Sequence, residues 1–267
     1  MGISVGLGLR REITEALLHL ENQKPAFLEV APENWMEIGG YWGNLFHQIS
    51  EKYELTAHGL SLSIGAKDEL NIPFLKRLKS FLDEYSISLY SEHLAFSTMN
   101  NAHLYESLPV AFTDESVKHI STRVKQVQEI LERKVILENV VYYTLIDQEL
   151  SELDFYNAVA SEADCEILLD FNNVFVNGKN FNYDPYEFIS KIDTSKVSYL
   201  HVGGHQEQND GLLLDAHNNP IKQEVLDLIR KTKHNFNADK LLFERDANLD
   251  DLNELLAEIK RIEKSLE

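Results

Sequence analysis

The chain has 267 residues, 43% of them hydrophobic, and a formal net charge of −19. That length suffices for one large α/β barrel or two small domains, with a core that needs no covalent staples. A field of that sign opposes binding to a phosphate backbone, and Lys and Arg are scattered rather than gathered in a basic patch, so no nucleic-acid partner is expected. The single cysteine, Cys165, excludes an internal disulfide and reads as a buried small residue. No apolar run approaches the ~18 residues of a membrane span, which argues against a membrane partner. The first residues carry neither a signal-peptide nor a myristoylation pattern, so a cytoplasmic location is expected.

Taken in order, β-branched apolar runs alternate with helical periodicity eight times. Strands are expected at 3–7, 26–30, 55–58, 87–93, 135–139, 166–171, 197–201 and 241–244. The clearest helices are 71–85, 113–133, 151–163, 221–233 and 249–264, the last with an apolar stripe at 249, 252, 255, 256, 259 and 262. Thr113 opens its helix as a capping residue followed by two acids. No linker or low-complexity tract divides the chain. Eight βα units in one domain, 1–267, make a (β/α)8 TIM barrel, whose active site lies at the C-terminal ends of the strands. Near the N-terminus, Gly6-Leu7-Gly8-Leu9-Arg10 lacks the third glycine of a dinucleotide fingerprint and reads as a tight barrel turn; no nicotinamide or flavin is expected.

The strand ends carry the chemistry. Strand two ends in Glu29, strand three in His58, and strand four in Glu92-His93. Strand five ends in Glu138-Asn139, strand six in Asp170 with Asn172 and Asn173 behind it, strand seven in His201, and strand eight in Glu244-Arg245-Asp246. One acid or histidine at a strand terminus is commonly a solvated cap or part of a hydrogen-bonded wall. Seven converging on one ring would bury like charges together, which is costly unless cations neutralise them. A metal centre is therefore expected, and the donors exceed what one tetrahedral ion takes.

The stretch 197–219 adds His205, Asp215 and His217, with Asp215 and His217 on one face if extended. The bland reading is a polar loop with incidental histidines. His205 is the weaker metal candidate, because Gly203 and Gly204 argue against a helix joining it to His201. Glu33-Asn34-Trp35 after strand two either lines a substrate mouth or starts a helix. Tyr142 and Tyr143 either face the site or pack outside it. His103 lies in the loop after strand four, while His19, His47, His119 and His234 fall on helices or loops and read as solvated.

Several segments together resemble one family, the multinuclear non-haem iron-dependent oxidative enzymes, which includes the methanobactin-biosynthesis oxidase. They are GLGLR (6–10), FLEVAPENWM (27–36), HGLSLSIG (58–65), SEHLAFS (91–97), LYESLPVAFTDE (104–115) and RVKQVQEIL (123–131). ILENV (136–140), LLDFNNVFVN (168–177), YLHVGGH (199–205), DAHNNP (215–220) and FERD (243–246) complete the set, covering nearly the whole chain in order. The resemblance implies a xylose-isomerase-like barrel holding two or three iron ions of mixed Fe(II)/Fe(III) valence. It implies O2 as co-substrate and a ribosomally made precursor peptide modified at cysteine, with a partner protein that presents the peptide. Carried over, the metal ligands are His58, His93, Glu138, Asp170, Asn173, His201, Asp215, His217 and Glu244, with Glu138 and Asp170 expected to bridge. Glu138 and Asp246 are the expected catalytic residues; Glu29, Asn34 and His205 are expected to contact substrate. Two departures, Asn180-Phe181-Asn182 in place of an Asn-His-Gly segment and Asn219 in place of a histidine, leave the peptide and product open.

Two other classes compete. A divalent-metal hydrolase or sugar isomerase would share the ligands, but a nuclease needs a basic groove, and an isomerase is expected to carry a lysine at a strand end. A non-catalytic metal-binding barrel would also keep the ring, in an unusual place for a structural ion.

Overall fold

In the computed structural model, which describes residues 2–99 and 102–267, strands and helices alternate as the patterning predicts. β1 (Ser4–Gly8), α1 (Arg11–His19), β2 (Phe27–Val30), α2 (Gly40–Lys52), β3 (Glu54–Gly59), α3 (Ile72–Glu84) and β4 (Tyr90–His93) open the chain. A hairpin of β5 (Phe96–Met99) and β6 (Ala102–Leu108) follows, then α4 (Asp114–Leu131), β7 (Ile136–Glu138), α5 (Glu152–Ala163) and β8 (Glu166–Asp170). α6 (Phe171–Phe181), α7 (Pro185–Lys191), β9 (Val197–Val202), a second hairpin of β10 (His205–Glu207) and β11 (Leu213–Asp215), α8 (Gln223–Thr232), β12 (Lys240–Phe243) and α9 (Leu252–Ser265) complete it.

Eight of these strands close a parallel barrel in the order β1-β12-β9-β8-β7-β4-β3-β2. The (β/α)8 expectation therefore holds. The helices form where the periodicity and caps agree. Thr113 Oγ1 accepts from the Ser116 amide at 3.2 Å, and Val117, Ile120, Val124, Val127 and Leu131 of α4 are buried along one stripe before Glu132 turns left-handed.

Two local expectations change and two hairpins are added. Residue 171 belongs to a helix, because Asp170 Oδ1 accepts from the Asn173 amide at 2.7 Å and starts α6 without a connecting loop. The two hairpins, at 96–108 and 205–215, lack the long alternation that would have announced them. Gly6 and Gly8 are strand residues rather than a turn: a Cβ on Gly6 would lie 2.4 Å from the Phe27 ring, and one on Gly8 would lie 3.1 Å from Arg10 Nη1. Both make room for side chains.

The barrel interior explains the height of the site. Phe27, Ile136, Leu168, Tyr199 and Leu242 pack together as one buried apolar layer. Each stands two residues before a polar strand end: Glu29, Glu138, Asp170, His201 and Glu244. Residues two apart on a strand share a face, so the polar ring stands directly on the apolar plug.

Candidate metal centre

Lateral pairing sets the first contacts of that ring. In register, His93 pairs with Glu138 and Asp170 with His201. His58 Nε2 lies 3.3 Å from His93 Nε2 and 3.2 Å from Glu138 Oε2, with His93 Nε2 3.5 Å from the same oxygen. The far side of each ring is already committed. His93 Nδ1 donates to the Gly59 carbonyl at 3.1 Å, and His58 Nδ1 meets Ser91 Oγ at 2.8 Å, whose own proton goes to the Ala57 carbonyl. Both Nε2 atoms therefore present lone pairs to each other beside a carboxylate, which is an arrangement that a cation stabilises.

The opposite oxygen of Glu138 faces a second cluster. His201 Nε2 lies 3.1 Å from Glu29 Oε2, which also accepts from Tyr199 Oη at 2.8 Å. With its proton directed to Glu29, His201 turns Nδ1 toward Glu244 Oε2 at 3.4 Å and Glu138 Oε1 at 3.7 Å. Glu138, Asp170, His201 and Glu244 offer ligand atoms within 4.8 Å of one another. Glu244 then reaches a third cluster, with Oε1 3.6 Å from His217 Nδ1. His217 Nε2 lies 2.8 Å from Asp215 Oδ1, close enough for an ion pair but without hydrogen-bond geometry, and its Nδ1 lies 3.2 Å from Asp246 Oδ2.

Four buried atoms of this set have no hydrogen-bond partner: Asp170 Oδ2, Asn173 Oδ1, His201 Nδ1 and His217 Nε2. Leaving such atoms unpaired costs about 1–3 kcal/mol each. All four are lone-pair donors of oxygen or nitrogen type, the mixture that suits iron, manganese or zinc. The residues present fit a multinuclear metal group. Electrostatics agree. Burial pushes the Asp170 carboxyl up, with Glu138 and Asp215 adding to it, to about 8. Burial pulls His58 down, but Glu138 and Glu29 outweigh it and raise the imidazole to about 9. His201 and His217 rise well above their usual value, their acids overcoming burial. Protons held by such a ring occupy positions that cations would take.

The hairpin and its neighbours shape the third cluster. Asp215 ends β11, but His217 is not extended beside it: its backbone is left-handed at φ 44, which swings the ring back. That conformation costs a non-glycine residue about 1 kcal/mol and is found at sites that require it. Gly203 makes the space, since a Cβ there would lie 2.4 Å from His217 Cδ2; one on Gly204 would lie 2.0 Å from the Asn219 carbonyl oxygen. Asn219 thus packs through its backbone against the glycine pair.

The ring opens into a cavity of about 490 Å³ whose walls include Arg10, Glu29, Asn34, His103, Tyr143 and Asp246. Asn34 sits on this wall after β2, while its carbonyl accepts from Arg11 at 3.1 Å. His205 is 3% exposed, its Nδ1 donating to Asn172 Oδ1 at 2.7 Å; Asn172 Nδ2 in turn donates to Asp215 Oδ1 at 2.8 Å. It stands behind a candidate ligand. Tyr143 Oη accepts from the Asp215 amide at 3.0 Å, whereas Tyr142 is buried and donates to Glu152. His119, expected in solvent, donates to the Ala66 carbonyl at 2.8 Å. Asn172, placed at the strand-six end, and Arg10, placed in a tight turn, were given no role from the sequence. A polar residue beside a strand-end acid was the available signal for the first, and Gly8 two residues ahead for the second.

Fold and site together define a xylose-isomerase-like TIM barrel with a candidate multinuclear metal centre at its catalytic face. The structure is similar to the E. coli 3-keto-D-glucoside 4-epimerase YcjR, with a TM-score of 0.63, 15% identity, and 98% of this chain and 99% of that one covered. It is similar also to endonuclease IV from Thermus thermophilus, with a TM-score of 0.62, 11% identity and 98% of each chain covered. At such identities these likenesses speak for the fold. The chain belongs to the family described as RiPP precursor modification enzyme MbnB/TglH/ChrH, matched over residues 4–267. A relative from Shewanella sediminis, known as a UPF0276 protein, is 45% identical over 97% of this chain and 92% of its own length. The family is one of enzymes acting on precursors of ribosomally made, post-translationally modified peptides. Among the described residues no helix is long and apolar enough to cross a membrane.

Proposed function

We propose that the chain is a multinuclear non-haem iron enzyme that uses O2 to modify a ribosomally made precursor peptide at cysteine, with a partner protein presenting the peptide in the cytoplasm. The observation that carries the metal part is the set of four buried donor atoms without a hydrogen-bond partner, two of them on Asn173 and His217, which line the cavity, and two on Asp170 and His201 at the strand ends. The peptide part rests on family membership. Iron bound by imidazoles and carboxylates with positions left open supplies oxygen activation and one-electron chemistry.

The chain's own groups have separable roles in this reading. Glu138 presents one oxygen to His58 and the other to His201, so it would hold ions in both clusters; Glu244 turns Oε2 to His201 and Oε1 to the Nδ1 side of His217, and Asp170 has one oxygen committed to the cap of α6 and one free. Glu29 holds His201 with Nδ1 facing the ring, and Asp246 holds His217 with Nε2 facing Asp215. Tyr143 and Asn34 line the mouth, where a peptide chain enters. Deep placement above the apolar plug keeps bulk water from one side of the ring. A sugar-isomerase reading has less support: no lysine lines the cavity among the described residues.

The test is oxygen uptake by protein reconstituted anaerobically with iron, with and without the precursor encoded beside its gene. The expected result is peptide-dependent O2 consumption and a mass change at a cysteine of the peptide. Turnover of a sugar phosphate or phosphodiester with zinc or manganese, under exclusion of oxygen, would overturn the proposal.

A further inference from the structure

Arg10 is the only lysine or arginine on the wall of the cavity, among the described residues. It follows β1, and Gly8 leaves the space into which its guanidinium folds back. One arm donates to the Leu9 carbonyl at 3.2 Å, and Nη2 is paired with Asp246 Oδ1. The other oxygen of Asp246 lies 3.2 Å from His217 Nδ1. Asp246 therefore sits between a permanent cation and a candidate ligand.

Without Arg10, Asp246 would have another use. Its carboxylate, His217 and Glu244 offer ligand atoms within 4.8 Å of one another, a competent three-donor set of its own. His217 thus faces two alternatives, Nε2 with Asp215 on one side or Nδ1 with Glu244 and Asp246 on the other. An oxygen that accepts a charge-assisted hydrogen bond from a guanidinium is a poorer metal donor, and the adjacent positive charge opposes a cation on that side. A carboxylate that accepts from Nδ1–H also fixes the imidazole tautomer, leaving Nε2 to bind.

We propose that Arg10 is a positioning residue that keeps Asp246 out of the coordination shell, so that His217 binds through Nε2 and the outermost ion keeps a position open to water or substrate. The inference rests on the metal-centre reading above and adds to it a residue that determines vacancy at one ion. Arg10 touches no ion itself. It acts through Asp246.

The test uses Mn2+ as probe, on the full chain, with Arg10→Gln, Asp246→Asn and the double variant, each checked for an unchanged melting temperature. Binding isotherms give the affinity of the outermost ion, and 17O-water line broadening gives its exchangeable waters. Arg10→Gln is expected to tighten that ion about tenfold, a typical size for an outer-sphere change, and to remove one exchangeable water. In the Asp246→Asn background the same substitution is expected to change affinity by less than about twofold, because no carboxylate is left to release. Equal tightening in both backgrounds would make Arg10 a through-space charge only and overturn the inference, as would no tightening in either. Arg10→Lys keeps the charge and loses the fork; it is expected to fall between wild type and Arg10→Gln, and tightening beyond that of Arg10→Gln would overturn the inference. Failure of the underlying metal-centre reading looks different: the wild type would then bind fewer than two Mn2+ ions.

Discussion

The inner and outer parts of the candidate metal centre are built in different ways. The inner donors, His58, His93, Glu138 and His201, stand on neighbouring barrel strands whose register fixes them, above a plug of apolar residues. The outer donors, Asp215 and His217, stand on a hairpin and a left-handed turn held by Asn172, Asp246 and the space at Gly203. A strand end is a rigid mount whose position follows from pairing, whereas the hairpin is a mount whose position depends on a few side-chain contacts. Inner ions are therefore expected to bind first and tolerate nearby change, and the outer ion to be the one that single distant substitutions remove.

Glu138→Ala is the largest perturbation of that contrast. It deletes the carboxylate facing both His58 and His201, so at least two ions and all oxygen-dependent activity are expected to be lost, read by metal analysis and O2 uptake. His217→Ala should cost one ion only. Equal losses in the two variants would erase the inner–outer distinction. Gly203→Ala comes next: its Cβ collides with the His217 ring, so the outer ion is expected to weaken by about ten- to a hundredfold while the inner ions stay, as calorimetric titration would resolve.

The two mounts also differ in how readily they are read from sequence. The inner donors are legible because His58, His93, Glu138 and His201 each fall at the end of an expected barrel strand, the face on which this fold gathers its chemistry. Asp215 and His217 were found as residues, and Asp215 does end a strand, but His217 is left-handed, so the shared face that an extended backbone would give is not formed. The Gly203-Gly204 pair was read only as a helix breaker. Its physical reason, close approach of the 215–219 segment, depends on contacts across more than ten residues of chain. Asn172 and Arg10 were named without a role because their roles lie in what they hold.

Glu152 offers a control outside both parts. Burial raises its carboxyl to about 7 against hydrogen bonds from Tyr142, Asn177 and Tyr183, and it braces the segment after β7. Because the folded value lies above the unfolded one, its contribution to stability is complete below about pH 4.5 and fades as pH rises through about 7. Wild-type protein is expected to lose roughly 2–3 kcal/mol more than Glu152→Gln between pH 5 and 8.5. Parallel pH profiles from denaturant unfolding would contradict that assignment.

The smallest effect is expected at His205. Its ring stacks on Phe175 and reaches Asp215 through Asn172, while the backbone pairing of residue 205 with Asp215 does not depend on the side chain, so His205→Ala should keep all ions and weaken the outer one less than about tenfold. Loss of metal from His205→Ala with retention in His217→Ala would reverse the roles given to the two histidines.

The central claim is that the three side-chain clusters form one metal centre. Metal analysis together with Mössbauer spectra of protein purified and loaded with iron under anaerobic conditions tests it most directly. Two or three iron ions per chain, magnetically coupled through the shared carboxylates, is the result the account predicts; a single isolated iron, or none retained, would contradict it.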